Sequence, residues 1–128
     1  MQNQIWGRLL LRILTVIFLG FASLPAFADN YVPVKDESQF INLVGGKLLR
    51  HRVYGIRLNV LETGEIVGSA VGRDISGTWR WQDGFFCREM AWGERAIPYN
   101  CQLVEIANDL IRFTVDRGAG DSAAFRLQ

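Results

Sequence analysis

Residues 75–92 read ISGTWRWQDGFFCREMAW and predict a β-hairpin with one apolar face. In the first half, every second residue from Ile75 to Trp81 is apolar or glycine, which is the period of a half-buried strand. Asp83-Gly84 is the strongest hairpin signal in the chain, because both residues tolerate the positive φ angles of a tight β-turn. The apolar face continues on the returning strand at Phe86, Met90 and Trp92.

The same alternation extends on both sides of this hairpin. Further strands are predicted at residues 56–60, 65–71, 101–106, 110–116 and 125–127. Turn residues such as Thr63-Gly64 and Asn108-Asp109 separate them. Short antiparallel strands in so small a domain must close as a barrel or pack as a sandwich to bury their apolar face. We therefore predict a mainly β fold, a small antiparallel meander of seven or eight strands, with barrel and sandwich as alternatives.

One short N-terminal helix is predicted at residues 36–46. Asp36 can accept hydrogen bonds from the free N–H groups of the first turn. Phe40, Leu43 and Val44 form one apolar stripe at helical spacing. Gly45-Gly46 supplies a left-handed residue that ends the helix. We expect this helix to plug the open end of the sheet or barrel.

Residues 1–28 are typical of a signal peptide. A positively charged start precedes a short apolar run at residues 13–21, and no acidic residue occurs before Asp29. The run is shorter than the roughly 20 apolar residues of a membrane span. The triplet Ala26-Phe27-Ala28 is typical of a signal peptidase site, so cleavage is favoured over an uncleaved anchor. Residues 29–128 then form a single β domain.

The mature domain has no charge excess. The chain carries 14 basic and 13 acidic residues, and cleavage removes two arginines, which leaves a net charge of −1. Nucleic-acid-binding domains carry a clear basic excess, and no second apolar stretch is long enough to cross a membrane. We predict a periplasmic or secreted protein with no nucleic-acid partner and no membrane partner after cleavage. Its partner is predicted to be an envelope component or a small ligand.

The chain has two cysteines, Cys87 and Cys101. An even number of cysteines in an exported domain favours a disulfide. If Phe86 and Val104 face inward, both cysteines lie on the outer face, where cysteines of neighbouring strands can be bridged. A metal site would need more ligands and a redox pair would need the C-x-x-C spacing. We predict a Cys87–Cys101 disulfide and no metal ligands.

Three motifs give the mature chain a resemblance to a known group of proteins. They are GTWRWQDGFFCR at residues 77–88, Asn100-Cys101-Gln102, and DRGAG at residues 116–120. Together with the pattern F-x-x-L-V-x-G in the helix, they are similar to a group of small exported proteins of alphaproteobacteria with no established activity. The resemblance covers nearly the whole mature chain, including the spacing of both cysteines.

Members of that group sometimes carry the label dihydrodipicolinate reductase, which makes an enzyme the alternative function. A Rossmann-type reductase holds its cofactor phosphates with a Gly-rich turn between a strand and a helix. Here Gly64, Gly68 and Gly72 lie in strand-period sequence with no helix after them. We therefore predict no cofactor and prefer a non-catalytic binding or interaction module.

No group of residues predicts catalysis. His51 is the only histidine and lies between Arg50 and Arg52, without a neighbouring carboxylate to orient it. We interpret His51 as a surface residue at the end of a strand rather than as a general base. Residues 116–121 could be a cation loop, but they offer too few oxygen ligands at alternate positions and are interpreted as a hairpin turn.

Arg88 is the charged residue that alternation turns toward the interior. A buried charge is costly unless it is paired. We interpret Arg88 as re-aimed by a β-bulge or placed near an open rim, and an anion-binding group at a pocket mouth is the alternative. The outward arginines are predicted to pair across strands with Glu65, Glu89 and Glu105. These arginines are Arg57, Arg80, Arg112 and Arg126.

Six aromatic residues are predicted to form the inner face. They are Trp79, Trp81, Phe86, Trp92, Phe113 and Phe125. They could line a ligand pocket, as in lipocalin-like barrels. Small inward residues, namely Gly68, Ala70 and Gly77, alternate with them, and this alternation fills a tight barrel without voids. We therefore predict a packed interior, with recognition by the rim loops or the outer arginine face.

Overall fold

The structure is a computed structural model that describes residues 30–128. The helix α1 is Glu37–Val44 and a short 3-10 turn is Asp116–Gly118. The strands are β1 Val32–Pro33, β2 Leu49–His51, β3 Ile56–Val60, β4 Glu65–Ala70, β5 Arg73–Gln82, β6 Phe85–Trp92, β7 Arg95–Ala107, β8 Leu110–Thr114 and β9 Ser122–Leu127. The signal peptide predicted at residues 1–28 lies outside the described residues. No helix in the described part is long and apolar enough to cross a membrane.

The predicted antiparallel meander is confirmed, and it closes into a barrel. From β2 to β9, each strand pairs antiparallel with the next strand along the chain. β2 also pairs with β9, through Leu49 opposite Leu127 and Arg50 opposite Arg126. This last pairing joins the two ends of the sheet, and closure removes the open edges that a sandwich would keep. The barrel is therefore the correct one of the two predicted alternatives.

β7 is longer than the sequence pattern predicts. It begins at Arg95, whereas alternation indicates a strand only at residues 101–106. The first half of β7 pairs with β6, and the second half pairs with β8 on one edge and with the extra strand β1 on the other. Arg88 lies opposite Asn100 while Met90 lies opposite Ile97, so β7 carries one extra residue at Pro98-Tyr99. This β-bulge shifts the alternation and hides the first half of the strand.

α1 seals one end of the barrel, as the sequence predicts. Asp36 Oδ1 accepts a hydrogen bond from the N–H group of Gln39 at 2.8 Å, which caps the first turn. Gly46, with φ 68°, supplies the left-handed residue after the helix. Phe40 is 0% exposed and packs against the rings of Trp79, Trp81, Phe86 and Phe113. This helix and the turns at residues 61–64, 83–84 and 108–109 form the closed end.

Within the part of the chain that the structure describes, no helix covers the opposite end of the barrel. Because hairpin turns alternate between the two ends of a meander, four connections meet here. They are residues 52–55, 71–72, 93–94 and 115–121. We call these four connections the open rim.

The predicted Cys87–Cys101 disulfide is present. The two cysteines lie directly opposite each other on β6 and β7, with their Cα atoms 3.9 Å apart. Cross-linking two residues 14 positions apart stabilises a fold by about 3 kcal/mol in the chain-entropy view. The bridge also holds together the two strands that carry Arg88 and the bulge.

Candidate binding cavity

A cavity of about 250 Å³ lies inside the barrel. Its lining extends from Phe86 and Phe113, which contact the plug residue Phe40, to Asp121 and Ser122 on the open rim. Asp121 and Ser122 are exposed, so the cavity reaches the surface beside the connection 115–121. The prediction of a fully packed interior is wrong here. The aromatic residues that the sequence places inside concentrate near α1, and they leave space toward the rim.

Apolar side chains form most of the cavity wall. They come from strands all round the barrel and include Leu49, Leu58, Ile66, Met90 and Phe125. Two buried polar side chains interrupt this wall, Arg88 on β6 and Gln102 on β7. Ligand pockets in proteins combine these features, an apolar wall with a few placed polar groups that fix orientation.

Arg88 points into the barrel and is 7% exposed. Its Nη1 donates a hydrogen bond of 2.6 Å to the carbonyl oxygen of Pro98. Pro98 belongs to the bulge on β7, and a bulge leaves a residue outside the regular ladder. The bulge predicted to re-aim Arg88 therefore exists, but on the neighbouring strand. There it supplies an acceptor to the inward guanidinium instead of turning Arg88 outward.

No carboxylate among residues 30–128 forms a salt bridge with Arg88. The two salt bridges among residues 30–128 are Arg112–Glu105 and Arg126–Asp109, and both lie elsewhere. Burial lowers the pKa of Arg88 from its ordinary value, because desolvation disfavours the charged guanidinium. The folded protein binds the Arg88 proton more weakly than the unfolded chain does. The charge of Arg88 therefore lowers the free energy of unfolding at pH values below the unfolded-state pKa, which include the neutral range. Arg88 is thus a charge that the fold carries at a cost.

The connection beside the cavity opening is ordered by side-chain hydrogen bonds. Asn100 Nδ2 donates to Asp116 Oδ1 at 2.8 Å, and the N–H group of Asp116 donates to Asn100 Oδ1 at 2.9 Å. Thr114 and Ser122 join β8 to β9 through their hydroxyl groups, 2.7 Å apart. Asp116 is therefore used to hold the connection in place. In residues 30–128, no three His, Cys, Asp or Glu residues are grouped so that they could hold a metal ion.

The six predicted inner aromatic residues lie in three places. Phe86, Phe113 and Phe125 are buried and line the cavity. Trp79 is buried and Trp81 is partly buried, and both pack against Phe40 at the closed end. Trp92 is partly buried near the open rim, where its Nε1 donates to the carbonyl oxygen of Ala70 at 2.7 Å.

The other candidate residues predicted from the sequence do not line the cavity. His51 ends β2 at the open rim and stacks on Tyr54 with ring centroids 4.8 Å apart. Gly64 and Gly72 lie in hairpin turns and Gly68 lies within β4, so this segment forms antiparallel hairpins. Of the outward arginines, Arg112 pairs with Glu105 at 2.7 Å, as predicted. Arg126 pairs with Asp109 and not with one of the three predicted glutamates.

Sequence reasoning missed Gln102 and the apolar cavity wall. Gln102 lies next to Cys101 in the motif Asn100-Cys101-Gln102, and its register opposite Phe86 turns it inward. The signal that could have located this site is Pro98, because proline within a strand indicates an edge or a bulge. A bulge beside Arg88 would have pointed to an acceptor for the inward guanidinium.

No family model, curated protein or solved structure matches this chain. The resemblance to small exported proteins of alphaproteobacteria therefore stays a prediction from the three motifs.

Proposed function

We propose that this protein is an exported, non-catalytic binding module whose barrel takes up a small amphipathic ligand with a carboxylate at one end. The observation that carries the proposal is Arg88, a buried guanidinium that faces an apolar cavity and forms no salt bridge with a carboxylate of residues 30–128. Such a charge costs stability unless a partner of opposite sign pairs with it. A bound anion would supply that partner.

The geometry of Arg88 favours a carboxylate as the anionic group. A guanidinium carries five N–H donors in a planar fork that matches a carboxylate. Within residues 30–128, the hydrogen bond that Arg88 makes through its side chain is the one to Pro98, so donors remain for a ligand. The amide of Gln102, on the same stretch of wall, can donate to or accept from a second ligand oxygen.

The size of the cavity limits the ligand. A cavity of about 150 Å³ with apolar walls holds one benzene ring. Scaled from the six carbon atoms of benzene, a cavity of about 250 Å³ accommodates about ten non-hydrogen atoms. A medium-length acyl acid or a small aryl acid has this size, and its apolar body would lie against Leu58, Met90 and Phe125 while its carboxylate meets Arg88.

The proposal is tested by titrating the protein with octanoate and, as a neutral probe of equal chain length, octanol. We expect octanoate to bind more tightly than octanol, and Arg88→Met to weaken octanoate binding about 10- to 100-fold, the size expected for a lost charge-assisted hydrogen bond. Octanol binding should change little, because the apolar wall is retained. Isothermal titration calorimetry measures both affinities.

A matched control is Arg80→Met, which removes the same charge from the exposed outer face of β5 and should leave octanoate binding unchanged. Unfolding by urea should show that Arg88→Met is as stable as the parent protein to within about 1 kcal/mol, or more stable, because a desolvated charge is removed. Equal octanoate affinity in Arg88→Met and the parent protein would refute the proposal.

Export and the disulfide are tested together on the full chain produced in a bacterial host. Mass spectrometry of the periplasmic fraction should find an N-terminus at Asp29 and, without reductant, one fragment that contains both Cys87 and Cys101. The charged start, the short apolar run and the triplet at residues 26–28 support export, and the disulfide fits an oxidising compartment. An Ala28→Arg variant should stay uncleaved. Parent protein that keeps Met1 in the membrane fraction, or free thiols in periplasmic protein, would contradict this expectation.

A further inference from the structure

We propose that one half of the open rim docks the barrel onto an anionic lipid surface. This half consists of the two neighbouring turns at residues 52–55 and 71–72, which we call the docking turns. Val53, Tyr54 and Val71 project from them and are 84%, 63% and 74% exposed. They are among the most exposed large apolar side chains of residues 30–128, and all three lie at this end of the barrel.

Val71 is not explained by the requirements of its turn. Val71 and Gly72 both have positive φ, 49° and 73°, as a two-residue hairpin turn requires. Asparagine, aspartate or glycine suits the first position, whereas a β-branched residue with positive φ is an outlier. The turn at the closed end, Asp83-Gly84, has the favoured residue types. Because Val71 is also exposed, a valine at this position is explained neither by the turn conformation nor by packing within the barrel. Contact with an apolar phase outside the protein would explain it.

The docking turns are held in place by their neighbours. The Nε1 of Trp92 bonds the carbonyl oxygen of Ala70, and the guanidinium of Arg73 lies 4.9 Å from the centre of the Trp92 ring. On the other turn, the N–H group of Tyr54 donates to His51 Nδ1 at 3.4 Å and the two rings stack. The apolar side chains are thus displayed on a supported rim, and docking would not require them to become ordered first.

Charge indicates which apolar phase is the partner. Arg52 precedes Val53 and Arg73 follows Gly72, both are exposed, and neither takes part in the salt bridges of residues 30–128. Asp74 and Glu94 share a surface pocket with Arg73, whereas residues 50–57 carry Arg50, Arg52 and Arg57 and no acidic residue. The closed end is more acidic, because its acidic residues outnumber Lys35, Lys47 and Arg126. These acidic residues are Asp36, Glu37, Glu62, Asp83 and Asp109. Arginine beside exposed apolar side chains is the combination that binds anionic lipid headgroups and the acyl boundary below them.

This inference revises the sequence-based prediction that the mature domain has no membrane partner. That prediction rested on the lack of a second apolar stretch long enough to span a bilayer, and docking by two turns needs no span. The docking turns lie on the same rim as the cavity opening, although docking does not depend on a ligand in the cavity. The two proposals can therefore fail separately.

The test is co-sedimentation of the mature domain with vesicles of phosphatidylcholine alone or mixed with phosphatidylglycerol. We expect binding to the mixed vesicles that weakens with salt, because exposed charges are screened, and little binding to phosphatidylcholine alone. Arg52→Gln should lower partitioning about five-fold, the loss of one basic contact. Val71→Asn should lower it by a similar or larger factor, about five- to ten-fold.

Val71→Asn makes the test specific, because it should raise the melting temperature or leave it unchanged, since Asn-Gly suits the turn. Weaker binding by a more stable variant is not a folding defect. The control Val67→Asn changes an outward valine of β4 that is 42% exposed away from the rim, and it should bind vesicles like the parent protein. Octanoate affinity should be unchanged in Val71→Asn.

Three results of the vesicle experiments would overturn the proposal, and a fourth result concerns self-association. The three are no binding of the parent protein to mixed vesicles, equal binding to both vesicle types, and equal loss in Val67→Asn and Val71→Asn. Self-association that Val71→Asn abolishes, without vesicle binding, would assign the docking turns to a second copy of the chain and would also overturn it. Vesicle binding in a protein that does not bind octanoate would support the docking proposal and count against the cavity proposal alone.

Discussion

Replacing Phe40 with alanine should lower the free energy of unfolding by about 3–5 kcal/mol, the range for removing a large buried aromatic side chain. The Phe40 ring lies 5.1–5.3 Å from the rings of Trp79, Trp81 and Phe86. Removing it would leave a void among rings from two different strands, and α1 would lose its main contact with the barrel. Urea unfolding followed by tryptophan fluorescence measures the loss, because two of the neighbouring rings are tryptophans.

Two variants separate packing from helix propensity. Asn42→Ala places alanine on the exposed side of the same helix and should change stability by no more than about 0.5 kcal/mol. Phe40→Leu keeps an apolar side chain of smaller volume, and its free energy of unfolding should lie between those of Phe40→Ala and the parent protein. If Phe40→Ala lowers the free energy of unfolding by less than about 1 kcal/mol, α1 does not stabilise the closed end of the barrel.

Gly77→Ala should destabilise the barrel by about 3 kcal/mol or more, at the upper end of the cost of overpacking. A Cβ atom at Gly77 would overlap the carbonyl oxygen of Glu89 and would lie 2.7 Å from Met90 Cγ. The obstacle is partly the backbone of β6, which cannot rotate away as a side chain can. Thermal unfolding should therefore show a fall of roughly 12 °C or more, since 1 kcal/mol shifts the midpoint of a domain of this size by about 4–8 °C.

Neighbouring positions provide the comparison for Gly77. Ser76→Ala makes a change of similar size on the exposed face of β5 and should leave the midpoint nearly unchanged. Gly68→Ala should act like Gly77→Ala, because its Cβ atom would overlap the carbonyl oxygen of Arg57. A melting temperature of Gly77→Ala close to that of Ser76→Ala would mean that β5 and β6 do not approach as closely as described.

The residues that stabilise the barrel and those that we propose for its function lie toward opposite ends of the barrel. The closed end is filled with rings that exclude water and anchor α1. Toward the open rim, Arg88 is a desolvated charge and Val71 is a β-branched residue in a turn that favours asparagine. Proteins depart from their best folding choices mainly at functional sites. Both departures lie where we propose ligand and lipid contacts.

Several features follow from the sequence alone, because they depend on local patterns. The alternation in residues 75–92 and the Asp83-Gly84 turn correctly predict the β5–β6 hairpin. The same alternation correctly places Gly77 and Trp79 on the inner face and both cysteines on one face. Asp36 and the apolar stripe correctly predict α1. Each signal is complete within a few residues, so no knowledge of distant neighbours is needed.

Other features were decided by the tertiary structure. Closure depends on β2 meeting β9, and β2 has only three residues with no clear alternation of its own. The cavity depends on how far side chains from many strands reach into a shared volume, which no single strand encodes. Alternation turned Arg88 inward, but the carbonyl that accepts its hydrogen bond comes from a bulge on the next strand. The hairpins could thus be predicted because they are local, whereas the candidate site could not, because it exists only where separate strands meet.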